Sequence, residues 1–169
     1  MTDQIVLRVN ARTVEVAANP LTSLRQALGE TLALRSVREP CGVGACGACT
    51  VLVNGRPVKS CLQAVGLVGD AEVLSVEGLP ANDPVVAAFA ASNAFQCGFC
   101  IPGFVMAARG LLESNPRPTA EAVRDALAGN LCRCGSYSLI VEAVMTLATG
   151  DPDPRAHSTS GVRKGRTAR

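Results

Sequence analysis

The chain has no tryptophan, one tyrosine and a single histidine in 169 residues. That histidine, His157, stands near the carboxyl end with no evident partner, and no nucleophile–base pair or flavin-binding pattern is recognisable. The groups that activate water or substrate are therefore missing from any recognisable arrangement. Long apolar runs are missing too. The longest candidate, "VVAAFAA" at 85–91, falls far short of the ~20 residues of a membrane span, so no direct membrane span is expected. The opening "MTDQIVLRVN" lacks the basic and apolar regions of an export signal, which makes the cytoplasm the expected compartment.

A strong charge of either sign is likewise absent. The net charge of +2 gives no dedicated nucleic-acid surface, and it is concentrated at one end. Residues 151–169 hold Arg155, Arg163, Lys164, Arg166 and Arg169 against Asp151 and Asp153, a balance of +3 that leaves −1 for the rest. This basic tail, rich in Pro, Gly, Ser and Arg, has the composition of a solvated end, and docking along another subunit is what would order it.

What the chain does have is eight cysteines and a 48% hydrophobic share, enough for a packed interior. In a reducing cytosol, regularly spaced cysteines serve more often as metal ligands than as disulfides. The first half reads as a small mixed sheet holding one helix. Residues 4–17 alternate as two strands around an Asn-containing turn, and the leucines at 21, 24, 28 and 32 have helical spacing. "TVLVNGRPVKSC" (50–61) carries Asn54-Gly55, a tight-turn signal, and "AEVLSVEG" (71–78) supplies one more strand. From Pro80 the pattern turns helical. Asp83 and Pro84 start one helix, "GFVMAARGLLESN" continues to a stop at Asn115-Pro116, Thr119 caps another, and "YSLIVEAVMTLATG" ends at Gly150. Two domains meeting near residues 78–82 follow: 1–78, 79–150, and then the tail.

The stretch "CGVGACGAC" (41–49) admits two readings. Gly42, Gly44 and Gly47 spell G-x-G-x-x-G, but a dinucleotide fingerprint needs a strand before it and a helix after it. Here a proline and charged residues precede, and a strand follows. The glycines are better explained as backbone that bends around a cluster with its amides free to point at sulfur. Cys41, Cys46 and Cys49 then give C-x₄-C-x₂-C, and Cys61 follows beyond the hairpin, which is the plant-type [2Fe–2S] spacing. A four-cysteine zinc site is the alternative, although zinc loops are shorter. Cys97 and Cys100 form C-x₂-C, and Cys132 and Cys134 form C-x-C, both where helices begin or end. For this second set spacing alone leaves zinc open.

With "CGVGACGACTVLVNG", "SCLQAV", "QCGFCIPGF" and "GNLCRC" in this order, the chain resembles the small iron–sulfur subunit of the xanthine oxidase family of molybdenum hydroxylases, over roughly residues 3–150. The resemblance implies a plant-ferredoxin-like β-grasp domain followed by a four-helix domain, an α+β chain with one [2Fe–2S] cluster in each part. Cys97, Cys100, Cys132 and Cys134 would hold the cluster proximal to the molybdenum centre; Cys41, Cys46, Cys49 and Cys61 would hold the distal one. Gln96 would contact the molybdopterin. The implied enzyme oxidises an N-heteroaromatic or an aldehyde at a large molybdopterin-binding subunit. Electrons then leave singly through the two clusters to FAD on a medium subunit, to a haem protein or to another acceptor. Two positions depart from the family pattern. Where the family reads C-R-C-T-G-Y, this chain has Gly135-Ser136 after Cys134, which bears on the geometry and potential of that cluster. Val43 stands where many relatives carry an acidic residue, in a loop expected to face the electron acceptor.

Overall fold

A computed structural model describes residues 2–150; the tail reading and His157 lie outside the described residues. The alternating apolar positions of the first half form five strands: β1 (Asp3–Val9), β2 (Arg12–Ala18), β3 (Thr50–Val53), β4 (Arg56–Lys59) and β5 (Glu72–Leu74). They make one sheet in the order β2-β1-β5-β3-β4. β1 runs parallel to β5, and every other pairing is antiparallel. Both hairpin turns use left-handed residues, Asn10 and Ala11 in the first and Asn54 and Gly55 in the second.

The leucine-rich segment forms a shorter helix than its spacing suggests. α1 spans Leu24–Gln26, capped by the Ser23 hydroxyl, and widens into a π turn over Ala27–Thr31. Leu24 and Leu28 are buried, while Leu21 lies out on the surface. Four longer helices follow: α2 (Pro84–Ala91), α3 (Ile101–Ser114), α4 (Ala120–Leu127) and α5 (Tyr137–Thr149). The expected caps are present. The Asp83 carboxylate accepts from the N–H groups of Val85 and Val86, the Thr119 hydroxyl from Ala122, and Gly150 closes α5 in the left-handed conformation. Such a cap is worth about 1 kcal/mol. Asp83 is fully buried, and its second oxygen pairs with Arg109 of α3, whose Nε holds Glu113 at 2.8 Å. That ties the start of α2 to the middle of α3.

Two cores result, and the sheet separates them. Successive strand residues point to opposite faces. Val51 enters the core built by Leu7, Val16, Leu24, Leu28 and Val73; Leu52, its neighbour, enters the helical core of Phe89, Phe104, Met106 and Ile140. α3 lies directly on that second face. A Cβ at Gly110 would stand 2.5 Å from the Pro57 side chain of β4 and 3.0 Å from Leu52, so glycine there allows the helix its close approach. The cysteine loops emerge at the edge of this shared seam.

Candidate metal centres

The nine-residue loop 41–49 is held open by three left-handed glycines, Gly42, Gly44 and Gly47. The bends turn a run of backbone amides inward. Cys41 Sγ accepts from the N–H groups of Val43, Cys46 and Ala45, Cys46 Sγ from Ala48, and Cys61 Sγ from Gly44. Cys61 arrives on the 3₁₀ turn Ser60–Leu62 that follows β4. The four thiols meet as pairs, Cys41 with Cys46 and Cys49 with Cys61. The Val43 amide, with help from Cys46, draws the Cys41 thiol down to about 6. Burial pushes Cys46 up, and burial together with Cys49 pushes Cys61 up to about 11.

The second site is assembled from two segments that each lead into a helix. Cys97 and Cys100 precede α3, with Cys100 as its cap residue, and Cys132 and Cys134 precede α5. Again the thiols pair: Cys134 Sγ lies 3.6 Å from Cys97 Sγ, and Cys100 bonds Cys132. The pairing crosses between segments and never joins neighbours in sequence. The Phe99 amide lowers the Cys97 thiol, while burial and the Cys132 thiol push Cys100 up to about 12. Burial alone would raise Cys132 as well. The N–H groups of Ser136, Cys134 and Gly135 all converge on its sulfur and bring it down. Gly98 and Gly135, both left-handed, free those amides to turn.

This donor set fits [2Fe–2S] groups. Two thiol pairs suit two irons bridged by sulfide, each iron taking two cysteines, and inward amides are what an electron-rich sulfur cage requires.

The two loops are bolted together by contacts that sequence reasoning did not single out. Leu131 N–H donates to the Cys46 carbonyl at 2.8 Å, and the buried Asn130 amide donates to the Gly47 carbonyl at 2.9 Å. The Thr50 hydroxyl donates to that same carbonyl at 2.7 Å. Glycine is required on both sides: a Cβ at Gly47 would sit 2.5 Å from the Gly129 carbonyl, and one at Gly103 2.3 Å from the Gly47 carbonyl. Arg38, three residues before Cys41, reaches across to the carbonyls of Gly98 and Phe99 at 3.0 and 2.6 Å and stacks over the Phe99 ring. Lys59 Nζ donates to the Gly44 carbonyl at 2.6 Å. The only signal for these residues was adjacency to a cysteine motif, as with Asn130 in "GNLCRC".

Exposure differs between the sites. Cys97 is exposed, and so is Gln96 before it, with Phe95 and Phe99 on either side close to half exposed. At the first site Cys49 is buried, Val43 projects into solvent, and the Leu62 side chain packs over Gly44.

Comparisons with known proteins agree with this geometry. The family described as a [2Fe-2S] binding domain matches residues 75–145, and that described as a 2Fe-2S iron-sulfur cluster binding domain matches residues 6–89. The chain is thus an iron–sulfur protein with a ferredoxin-like part and a helical part. It is 43% identical to the nicotine 6-hydroxylase small subunit of Paenarthrobacter nicotinovorans, over 84% of this chain and 87% of the relative. With the nicotinate dehydrogenase small FeS subunit of Eubacterium barkeri it shares 38% identity over 83% and 91%. Its fold superposes on quinoline 2-oxidoreductase from Pseudomonas putida with a TM-score of 0.82 and 32% identity, covering 95% of this chain and 99% of that one. The chain belongs to the small iron–sulfur subunits of the xanthine oxidase family of molybdenum hydroxylases, and it is an electron-transfer subunit of an oxidoreductase. Among the described residues no helix is long and apolar enough to cross a membrane.

Proposed function

We propose that Cys41, Cys46, Cys49 and Cys61 hold one [2Fe–2S] group and Cys97, Cys100, Cys132 and Cys134 the other, with residues 1–78 and 79–150 as their respective domains. Each such group carries one electron at a time, which divides the two-electron oxidation of a substrate into single steps. The observation that carries this reading is the pairwise meeting of the eight thiols, with backbone amides turned onto Cys41, Cys46, Cys61, Cys97 and Cys132. The chain's own residues keep water from Cys49 and Cys132, fix the seam between the loops through Asn130, and present Cys97 and Gln96 outward.

The direction of flow rests on the family resemblance, which sets the Cys97 side against the molybdenum centre, and the exposure of Cys97 and Gln96 supports it. A large molybdopterin-binding subunit covers the apolar rim of Phe95 and Phe99, with Gln96 on the pterin, and supplies electrons to the exposed Cys97 side. The loop around Val43 and Leu62 delivers them to a medium FAD-binding subunit or a haem protein. The relatives whose names specify nicotine, nicotinate and quinoline favour an N-heteroaromatic substrate, with an aldehyde as the second candidate. Eight cysteines kept as ligands fit assembly in the reducing cytoplasm.

Iron and acid-labile sulfide per purified chain, with low-temperature EPR after dithionite reduction, test this reading. The expected result is roughly four irons and four sulfides with two distinct rhombic signals, as Cys₄ ligation at two sites requires. Half that iron together with a zinc ion would overturn the electron path.

A further inference from the structure

Ser136 opens α5, yet it does not cap it. Ser23, Asp83 and Thr119 each accept an amide of the helix they begin, whereas the Ser136 hydroxyl makes no such bond. The residue is only 4% exposed, and its Oγ has no hydrogen-bond partner. Arg25 Nε is the other buried unpaired atom among the described residues, but the guanidinium it belongs to holds Glu30 and Glu39 through another nitrogen. At Ser136 the whole side chain is left without an acceptor. A buried hydroxyl in that condition is unfavourable, and a bound group is what would satisfy it.

The position of Ser136 indicates what that partner is. Its own N–H is one of three amides converging on Cys132 Sγ, so the hydroxyl belongs to the loop that wraps the second thiol set. Among the described residues no protein atom accepts from it.

We infer that the Ser136 hydroxyl donates a hydrogen bond to a bridging sulfide of the [2Fe–2S] group held by Cys97, Cys100, Cys132 and Cys134, and thereby raises the reduction potential of that centre. This rests on the ligand assignment above. Reduction adds one electron, donated from the molybdenum side, and moves no proton. The added charge sits partly on sulfur, which strengthens the hydrogen bond and favours the reduced state. Ser136 is thus a residue that tunes the centre without ligating it.

The test uses the purified complex carrying Ser136→Ala, Ser136→Gly or Ser136→Thr. Iron and labile sulfide are measured first, and then both EPR signals are followed in a redox titration. In the Ala and Gly variants the oxidised-to-reduced ratio of the second centre at fixed potential should rise about tenfold, or ~59 mV for a one-electron couple. The first centre should not move, and Ser136→Thr should titrate as the native chain. Pulsed ENDOR should also show an exchangeable proton coupled to the second centre that the Ala variant loses. Unshifted titration with full iron, or survival of that proton signal, overturns the inference. Loss of iron from the Ala and Gly variants with retention by Thr supports a role for the hydroxyl; loss from all three counts against it. A native complex lacking two [2Fe–2S] signals would sink the ligand assignment itself, whereas two normal signals with unmoved variants would sink only the role of Ser136.

Discussion

The two thiol sites solve one problem by different means. At the first, three of four cysteines lie in a single loop of nine residues, and left-handed glycines bend it until the amides face inward. At the second, two short segments 32 residues apart, from Cys100 to Cys132, are brought together by the packing of α3 against α4 and α5. The first is local and depends on backbone conformation. The second is long-range and depends on a helical core. The difference also sets exposure: the loop site buries Cys49 under the sheet, while the helical site leaves Cys97 open beside Phe95 and Phe99.

The largest effect that would test this contrast is at the exposed end. On the ligation proposed above, Cys97→Ser should slow reduction of the acceptor by substrate about 100-fold or more, since losing a ligand exceeds the 10–100-fold cost of losing an outer-shell partner. Stopped-flow absorbance of the acceptor measures it. Reduction at the native rate in that variant would mean electrons do not leave through this site.

Glycine substitutions come next and separate backbone strain from crowding. Gly47→Ala meets both, because φ is +70° and the Gly129 carbonyl would lie 2.5 Å from the new Cβ. It should destabilise the chain by ~3 kcal/mol, within the upper range for buried clashes. Gly98→Ala at the second site has φ +74° but nothing within 4 Å, so only the left-handed cost of roughly 1 kcal/mol remains. Denaturant unfolding of the iron-loaded chain compares them. Equal losses would show that the loops do not differ in crowding.

The smallest effect concerns pH. Glu77 accepts from the Ser36 N–H at 2.8 Å, from the Ser36 hydroxyl, and from Ser75. Burial alone would raise its carboxyl, but these bonds outweigh it and hold the group below its ordinary range. Because the folded value lies below the unfolded one, the stabilisation is complete above the ordinary carboxylate range. It is lost as pH falls through the lowered value. Glu77 anchors the segment leading into the first cysteine loop, so acid below the ordinary carboxylate range should loosen that loop before the second. Circular dichroism of the iron–sulfur bands against pH would show it, and Glu77→Gln should flatten the dependence. The change is small because solvent still reaches the partly buried carboxyl and screens it.

Much of this was legible without coordinates. Asp83 before Pro84, Thr119 three residues ahead of Ala122, and Asn54-Gly55 all form the caps and turn expected of them, since these motifs are closed by hydrogen bonds within a few residues. The leucines from 21 to 32 misled, because their spacing could not foresee that Leu21 would stay in solvent and that the helix would widen after Gln26. Arg38, Lys59 and Asn130 gave no signal of their own, because each acts on a carbonyl 15 to 83 residues away.

Glycine placement in residues 41–49 was enough to foresee a loop that bends with its amides free to face sulfur, because a left-handed residue acts over one or two peptide units. The packed fold was needed to set Cys97 against Cys134 and Cys100 against Cys132, to let one strand feed both cores through Val51 and Leu52, and to bury a serine at a helix start without a partner. Those outcomes depend on how α3, α4 and α5 pack over the sheet. Packing energy is summed over many residues distant in sequence, so no local pattern records it.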